Sequence, residues 1–340
     1  MDTATDRTSL SVVMQAFLPD TQRTARNACL HGLLCFAVLL CVTGCDRSVS
    51  PERPAEKRKT IADSRGPTGS SADQTLTPER LQRAFFQALD SGDWPKAESL
   101  SRRLATAFPD RPEGHRQLAQ LLSSQGRRQE ASRSVRRLVQ LGLANERELL
   151  SLIEVAGPFE IVSFDEWTDK HPPGLFRLGE ARFVYLADRK SDEAIELLDK
   201  LREEDGAVVQ VQALRARVLA ETGQLNQLEV LLQGVGSEIE SEPEYWLAVG
   251  IYLESNGRDE EAVTALLRSL ELDFTLRPAL RNLVKVYSRS GQVERAAGVQ
   301  RSLSKLDSIF RIAAQADASE AFEVGMLLES LLRFREALGW

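Results

Sequence analysis

Cysteine and histidine, the residues that most often carry chemistry, are few in this chain and unevenly placed. All four cysteines lie between residues 29 and 45: Cys29, Cys35, Cys41 and Cys45. Nothing after Cys45 can therefore form an intrachain disulfide or a thiolate metal site. Beyond that stretch only His115 and His171 remain. We therefore expect no metal site and no cofactor.

Catalytic sites need a nucleophile, a base or a metal held at a fixed spacing. The sequence contains no H-E-x-x-H, Walker A, G-x-G-x-x-G or G-x-S-x-G pattern. His115 stands where a large apolar side chain is expected on a helix, which favours a packed histidine over a ligand. His171 precedes two prolines and is expected in a loop. We therefore predict that the protein is not an enzyme.

One group of charged residues does suggest binding. Arg281, Lys285 and Arg289 recur every four residues, so a helix would place them on one stripe. Like charges on one stripe repel each other unless an anion or a carboxylate neutralises them. The sharper expectation is that an acidic peptide or a terminal carboxylate binds there; the alternative is pairing with Glu254 or Glu221 of neighbouring helices. The candidate partner-binding residues are Arg217, Arg281, Asn282, Lys285 and Arg289.

Net charge argues against a nucleic-acid partner. The chain has 43 Lys and Arg against 50 Asp and Glu, a net charge of −7, whereas nucleic-acid binders are generally basic. Residues 93–137, by contrast, carry a net positive charge. They include five arginines close together: Arg127, Arg128, Arg133, Arg136 and Arg137. They could contact anionic lipid headgroups. The favoured interpretation is a solvated helix face whose arginines pair with nearby carboxylates.

An apolar run near the N-terminus predicts where in the cell the protein is located. Residues 28–42 are apolar apart from His31, and Arg23 and Arg26 precede them. A membrane-spanning helix needs about 20 residues, so this run is short for one. It fits the apolar region of a signal peptide behind a basic segment. A short anchor helix is the alternative.

The run ends in Val42-Thr43-Gly44-Cys45, an aliphatic residue, two small residues and a cysteine. This resembles the lipoprotein box of bacterial signal peptides. The resemblance implies a signal peptide at residues 1–44, lipidation of Cys45 and membrane attachment in the bacterial cell envelope. Asp46 resembles the retention signal of enteric lipoproteins, which favours the periplasmic face of the inner membrane, with the outer membrane as the other possibility. Residues 45–77 lack an apolar period and are predicted to be a disordered linker.

The remainder of the chain is periodic. Gly92 and Gly126 lie 34 residues apart, and Gly223, Gly257 and Gly291 follow each other at the same interval. A fixed interval of this size indicates a stack of small helical units rather than one globular core. The best unit, residues 243–276, reads Trp246-x-x-Val249-Gly250 in its first half, with Gly257 at the turn and Ala262 in its second half.

This pattern resembles the tetratricopeptide repeat (TPR), a helix–turn–helix unit of 34 residues. The resemblance implies an all-α, right-handed superhelical solenoid whose concave groove binds a protein or peptide. The predicted segments are TPR block 1 at 78–142 (two repeats), an irregular helical connector at 143–174, TPR block 2 at 175–310 (four repeats) and a partial repeat at 311–340. The connector is either a degenerate repeat packed against its neighbours or a hinge. Arg189 replaces the usual turn glycine in the repeat at 175–208.

These patterns together predict a non-enzymatic, membrane-anchored TPR scaffold that mediates protein–protein interactions on the periplasmic or outer side of a bacterial membrane. An alternative is the docking front end of a larger exported protein with a further C-terminal domain. A third, a cytoplasmic chaperone adaptor, requires the apolar run to be something other than a signal.

Overall fold

The computed structural model describes residues 77–159, 161, 174–205, 209–314 and 316–340. These ranges contain fifteen α-helices, one 3-10 helix at Ser237–Ser241, and no strand. The predicted signal peptide, Cys45, Asp46 and all of the predicted linker except Thr77 lie outside the described residues. None of the described helices combines the length and the apolar content needed to cross a membrane.

The helices form consecutive pairs. Block 1 contains α1 (Pro78–Asp90) with α2 (Trp94–Ala107) and α3 (Pro112–Ser124) with α4 (Arg128–Gln140). After the connector helix α5 (Glu146–Ile153), block 2 contains α6 (Phe176–Leu186) with α7 (Ser191–Asp205), α8 (Val209–Glu221) with α9 (Leu225–Gly234), α10 (Pro243–Ser255) with α11 (Asp259–Leu272) and α12 (Arg277–Arg289) with α13 (Val293–Ala313). The last pair is α14 (Ala318–Ser330) with α15 (Phe334–Gly339). The predicted all-α solenoid of TPR-type helix pairs is confirmed.

The turns explain the 34-residue spacing of glycine. Gly223, Gly257 and Gly291 have φ angles of 74°, 73° and 72°, in the left-handed region where a side chain is strained. Each ends the first helix of its pair and lets the chain reverse into the second. Arg189 and Leu332 occupy the corresponding turns of other pairs and adopt φ angles of 60° and 63° without the freedom of glycine.

Small residues allow the two helices of a pair to approach. A Cβ atom on Gly250 of α10 would lie 2.6 Å from Cγ of Leu266 in α11. Ala262, on the facing side of α11, is completely buried. Gly114 plays a similar part between consecutive pairs, because an added Cβ on this residue of α3 would lie 2.5 Å from the backbone nitrogen of Ala105 in α2. These close contacts are the steric reason why small residues occupy these positions of the repeat.

The two blocks stack directly on each other despite the connector between them. An added Cβ on Gly179 of α6 would lie 2.1 Å from the carbonyl oxygen of Ser124 in α3. The rings of Trp94 and Phe176, also from different blocks, lie 4.6 Å apart between centroids. The chain thus leaves the array after α4 and rejoins it at α6. In its described residues, the connector contributes the single helix Glu146–Ile153.

The connector helix α5 begins with a reciprocal cap. The side chain of Asn145 accepts a hydrogen bond from the backbone N–H of Glu148, and the Glu148 carboxylate accepts one from that of Asn145. Such capping boxes stabilise short helices, which are marginal by themselves. Leu152 and Ile153, at the other end, are 1% exposed. The connector is therefore anchored by its own apolar residues as well as by polar contacts.

Candidate functional site: arginines that hold the connector

The backbone of the connector is bound by arginines that come from several repeats. Arg333, from the turn before α15, donates to the carbonyl oxygen of Leu152 at 2.5 Å and to that of Ile153 at 3.2 Å. These carbonyls end α5, where the helix dipole favours a cation. Arg333 is 6% exposed, and burial lowers the pKa of its guanidinium. The carbonyls at the end of α5 thus find their donors 180 residues further along the chain.

Two further arginines bind the residues that follow α5. Nη1 of Arg217 in α8 donates to the carbonyl oxygen of Ala156 at 3.0 Å. Nη1 of Arg128, at the start of α4, donates to that of Phe159 at 2.6 Å. Because a guanidinium carries five N–H donors in a fixed plane, it can bridge a carbonyl and a carboxylate at once. The array thus recognises this non-repeat segment largely through its main chain.

The connector also presents one carboxylate. Oε2 of Glu154, a residue only 2% exposed, accepts a hydrogen bond of 2.6 Å from Nε of Arg277 at the start of α12. Burial raises the pKa of Glu154, and the charges of Arg277 and Arg217 only partly oppose this rise. The Arg277 guanidinium lies 3.5 Å from the centroid of the Phe310 ring. That ring in turn lies 4.5 Å from the ring of Phe159, so apolar and ionic contacts fix the segment together.

Arg217 belongs to a buried network of ion pairs and hydrogen bonds. Glu244 at the start of α10 accepts from Nη1 of Arg217 at 2.8 Å and from both terminal nitrogens of Arg182 in α6 at 2.7 Å. Nε of Arg217 donates to Glu221 at 3.0 Å, and the Tyr185 hydroxyl donates to the same carboxylate. Burial raises the pKa of Tyr185, and the Glu221 charge raises it further. The network fixes the plane of the Arg217 guanidinium that meets the connector.

The expectation that Arg217 lines an open groove is corrected by its position. Arg217 is 2% exposed, and its donors are directed to Glu221, Glu244 and Ala156. A partner protein cannot contact it while the connector is in place. The alternative drawn from the sequence, pairing with a neighbouring carboxylate such as Glu221, describes this residue.

The predicted cationic stripe on α12 divides into paired and unpaired residues. Lys285 lies 2.9 Å and Arg289 2.7 Å from the carboxylate of Glu254, and Arg289 also pairs with Asp259. The Asn282 amide donates to the carbonyl oxygen of Pro278, its own helix, at 2.9 Å. Arg281 is exposed and has no ion pair among the described residues. It follows Arg277, which binds Glu154, by one helical turn.

The arginines of residues 127–137 are largely paired rather than free for lipid. Arg127 meets Glu98 and Glu130, each at 2.7 Å, and Arg137 meets Asp110 at 2.9 Å. Burial by itself would lower the pKa of the Arg127 guanidinium, but its two carboxylate partners raise it above the usual value. The favoured interpretation of these residues as a self-paired helix face agrees with this arrangement.

Sequence reasoning missed the residues that hold the connector, and its interpretation of Arg128 as part of a solvated helix face is wrong, because Arg128 is buried against the connector. Arg128, Arg182, Glu244 and Arg333 are buried, and their partners lie 27 to 181 residues away. Arg182 carries the one local signal, because it is a charged residue within the otherwise apolar run Ala181–Leu186 of α6. Among the described residues, no cluster of His, Cys, Asp and Glu could hold a metal ion.

Comparisons with known proteins give no family. No family model matches the chain, and no curated protein matches it. Among solved structures, a chain from the "Crystal structure of APC/C hetero-tetramer Cut9-Hcn1" is similar at 14% sequence identity and a TM-score of 0.32, over 77% of this chain and 71% of that chain. A TM-score this low supports no conclusion about function.

Proposed function

We propose that the protein is a non-enzymatic scaffold that binds a protein or peptide partner and is held at a bacterial membrane through lipidated Cys45. The observation that carries the binding role is the way the repeats hold the connector. Arginines from separate helix pairs donate to the main chain of a non-repeat segment, with one carboxylate as an ionic contact. A partner segment with an acidic side chain or a terminal carboxylate would use the same chemistry.

Arg281 is the residue at which we place the partner's carboxylate. It is exposed, while the cations one and two turns further along α12 already have carboxylates of their own. A charge-assisted hydrogen bond to a carboxylate is about twice as strong as a neutral one. The connector occupies neighbouring space, so the partner lies beside it, next to Arg277, rather than in its place.

The binding role is tested by crosslinking in living host cells. A photoreactive amino acid replaces Ser288, which is exposed on α12 near this stripe, and in a control chain it replaces Thr264, which is exposed on α11. We expect a defined protein adduct from position 288 and none from position 264. Adding Arg281→Glu should remove the adduct. Equal adducts from both positions, or an adduct that survives Arg281→Glu, would contradict the proposal.

The membrane anchor rests on the sequence Val42–Cys45 and the apolar run before it. Several acyl chains hold a protein at a bilayer stably, whereas a single chain is marginal. The test is the intact mass of the protein isolated from its host's membranes. We expect a chain that begins at Cys45 and carries acyl chains, and Cys45→Ser should leave the leader attached. A membrane-bound chain with an uncleaved, unmodified N-terminus would overturn the anchor and favour a short anchor helix.

A further inference from the structure

A polar cavity of about 240 Å³ lies where block 1, the connector and block 2 meet. Its wall comes from the start of α4, from Ala156 of the connector, from α6, and from the starts of α8 and α10. Because one water molecule occupies about 30 Å³ of liquid, the cavity has room for a small organic molecule. The described residues of its lining include no aromatic residue and no Leu, Ile, Val or Met. Polar contacts therefore select what binds there.

Most charged side chains of this cavity already have partners within the fold. Arg182 pairs with Glu244 at 2.7 Å, and Arg127 pairs with Glu130 at the same distance. Arg128 is held against the connector by its hydrogen bond to a main-chain carbonyl. These groups form the wall of the cavity, and a ligand need not neutralise them.

Two charged lining residues have no ion pair within the described part of the chain, and these are Arg133 of α4 and Glu242, which precedes α10. Arg133 is exposed. Glu242 is half-buried, and its carboxylate accepts a hydrogen bond of 3.2 Å from the amide of Gln210. Burial raises the pKa of Glu242 and the charge of Glu244 raises it further, while Arg182 opposes this rise only in part. A partly buried carboxylate without a cation is unfavourable, and a bound cation would relieve it.

Two helix N-termini strengthen the attraction for a negative group. Both α4 and α10 begin at the cavity, and neither has a side chain that caps its first N–H groups. The N-terminal turn of a helix favours an anion. Several other helices of the array also lack a side-chain cap, so this feature alone would not mark a site. Here two such ends converge on one cavity that Arg133 also lines.

The two unpaired charges decide which class of ligand fits. A simple anion such as phosphate would neutralise Arg133 but would be repelled by Glu242. A diamine would neutralise Glu242 but would be repelled by Arg133. A molecule with one ammonium and one carboxylate group satisfies both residues through charge-assisted hydrogen bonds. Because the lining offers little apolar surface, a small or polar side chain suits it better than a large apolar one.

We propose that this cavity binds a zwitterion of one or two amino acids with small polar side chains, whose ammonium group contacts Glu242 and whose carboxylate contacts Arg133. Such a ligand touches α4 of block 1 and the start of α10 in block 2, so its binding stabilises the folded array. The site is separate from Arg281 on α12. Its failure to bind would leave the crosslinking result at position 288 unaffected.

The test is a calorimetric titration at pH 7 of the full chain, purified from its host in mild detergent. The probes are L-serine and L-seryl-L-serine, whose charged groups differ in separation by one residue, about 3.5 Å. Each probe has two analogues that lack one charge: the N-acetyl form has no ammonium group, and the C-terminal amide has no carboxylate. Because a hydrogen bond to a charged group contributes strongly, we expect each analogue to bind about tenfold more weakly than its parent. The parent should also raise the melting temperature.

Two substitutions assign each charge of the ligand to a residue. Glu242→Gln should remove the preference for the parent over its N-acetyl form, and Arg133→Gln should remove the preference over the amide. Neither residue has an ion pair among the described residues, so we expect both variants to keep the circular dichroism spectrum of the unaltered chain. Glu260→Gln and Arg103→Gln change exposed residues on α11 and α2 and should leave both preferences intact.

Three results would overturn the proposal. One is the absence of saturable binding by either zwitterion. Another is equal binding of a parent and one of its analogues, which would mean that a single charge is recognised. The third is binding of phosphate or putrescine as tight as that of the zwitterion, when Arg133→Gln or Glu242→Gln abolishes it.

Discussion

Arg182 and Glu244 form a bidentate ion pair between α6 and α10, with both nitrogen–oxygen distances 2.7 Å and both side chains 4% exposed. Burial by itself would raise the pKa of Glu244. The charges and hydrogen bonds of Arg182 and Arg217 outweigh burial and lower that pKa to about 2. Charges removed from water in this way are tolerated only when every partner is present.

Glu244→Gln should therefore destabilise the array strongly at neutral pH. The amide keeps the shape of the side chain but leaves Arg182 and Arg217 buried without their shared counter-charge. Breaking a buried pair from one side costs about 3–5 kcal/mol. Urea unfolding at pH 7, followed by circular dichroism, measures the loss. Glu260→Gln changes an exposed carboxylate on α11 and should leave the free energy of unfolding nearly unchanged.

Acid should reveal the same interaction in the unaltered protein. Because the pKa of Glu244 is lower in the folded state than its ordinary value of 4.5, its contribution is complete above pH 4.5. It is lost as the pH falls from 4.5 towards 2, where the folded carboxylate takes up a proton. The difference in unfolding free energy between the unaltered chain and Glu244→Gln should shrink across this interval. A difference that stays constant down to pH 2 would contradict the assignment.

Two turns should be stabilised by glycine. Arg189 and Leu332 adopt left-handed φ angles of 60° and 63°, where the corresponding turns of most pairs have glycine. A side chain in this conformation costs about 1–2 kcal/mol. Arg189→Gly and Leu332→Gly should each raise the melting temperature, although glycine also gains entropy in the unfolded chain. The reverse change, Gly223→Arg, should lower it. An Arg189→Gly chain that melts below the unaltered one would contradict the role of backbone strain.

The turns were predictable from the sequence because they depend on local conformation. A left-handed residue every 34 positions appears directly as glycine, and the departure at Arg189 is visible for the same reason. The close approach at Gly250 and Ala262 likewise follows from local spacing. The helix pairs, and with them the fold class, could therefore be predicted from the order of residues alone.

The binding arrangement could not be predicted in this way, because it depends on contacts between distant segments. Nothing near Arg333 indicates that its donors meet carbonyls of α5, and nothing near Glu244 indicates two arginines from α6 and α8. The stripe on α12 and Glu254 as an alternative partner were both predicted from the sequence. Which of the cations pair with Glu254 depends on how the two helices pack, and the structure pairs Lys285 and Arg289 with it.

Removing the side chain of Arg333 should loosen the connector locally. Its guanidinium supplies donors to the last carbonyls of α5, and a buried carbonyl left without a donor costs about 1–3 kcal/mol. In Arg333→Ala we expect faster hydrogen exchange of the amides of α5, while α10 and α11 keep their protection. Arg335→Ala, an exposed neighbour, serves as the matched control. Uniformly faster exchange would indicate global destabilisation instead of release of α5.

The contact between the two blocks should be intolerant of a single methyl group. A Cβ on Gly179 would lie 2.1 Å from the carbonyl oxygen of Ser124, whereas a Cβ on Gly234 meets nothing within 4 Å. Because backbone cannot rotate away as a flexible side chain can, Gly179→Ala must separate α3 from α6. We expect a loss of about 1–3 kcal/mol in Gly179→Ala and none in Gly234→Ala. Equal stability of the two variants would mean that the blocks do not stack at this point.

Stability also separates the free cation of the α12 stripe from a paired one. Arg289→Glu places a third carboxylate beside Glu254 and Asp259, so like-charge repulsion should lower the melting temperature. Arg281→Glu meets no carboxylate among the described residues, and an exposed change of this kind shifts stability by less than about 0.5 kcal/mol. Thermal melts at low and high salt test this, since screening should reduce the deficit of Arg289→Glu. If Arg281→Glu proved the more damaging, Arg281 would be held within the fold and could not be the residue that receives a partner's carboxylate.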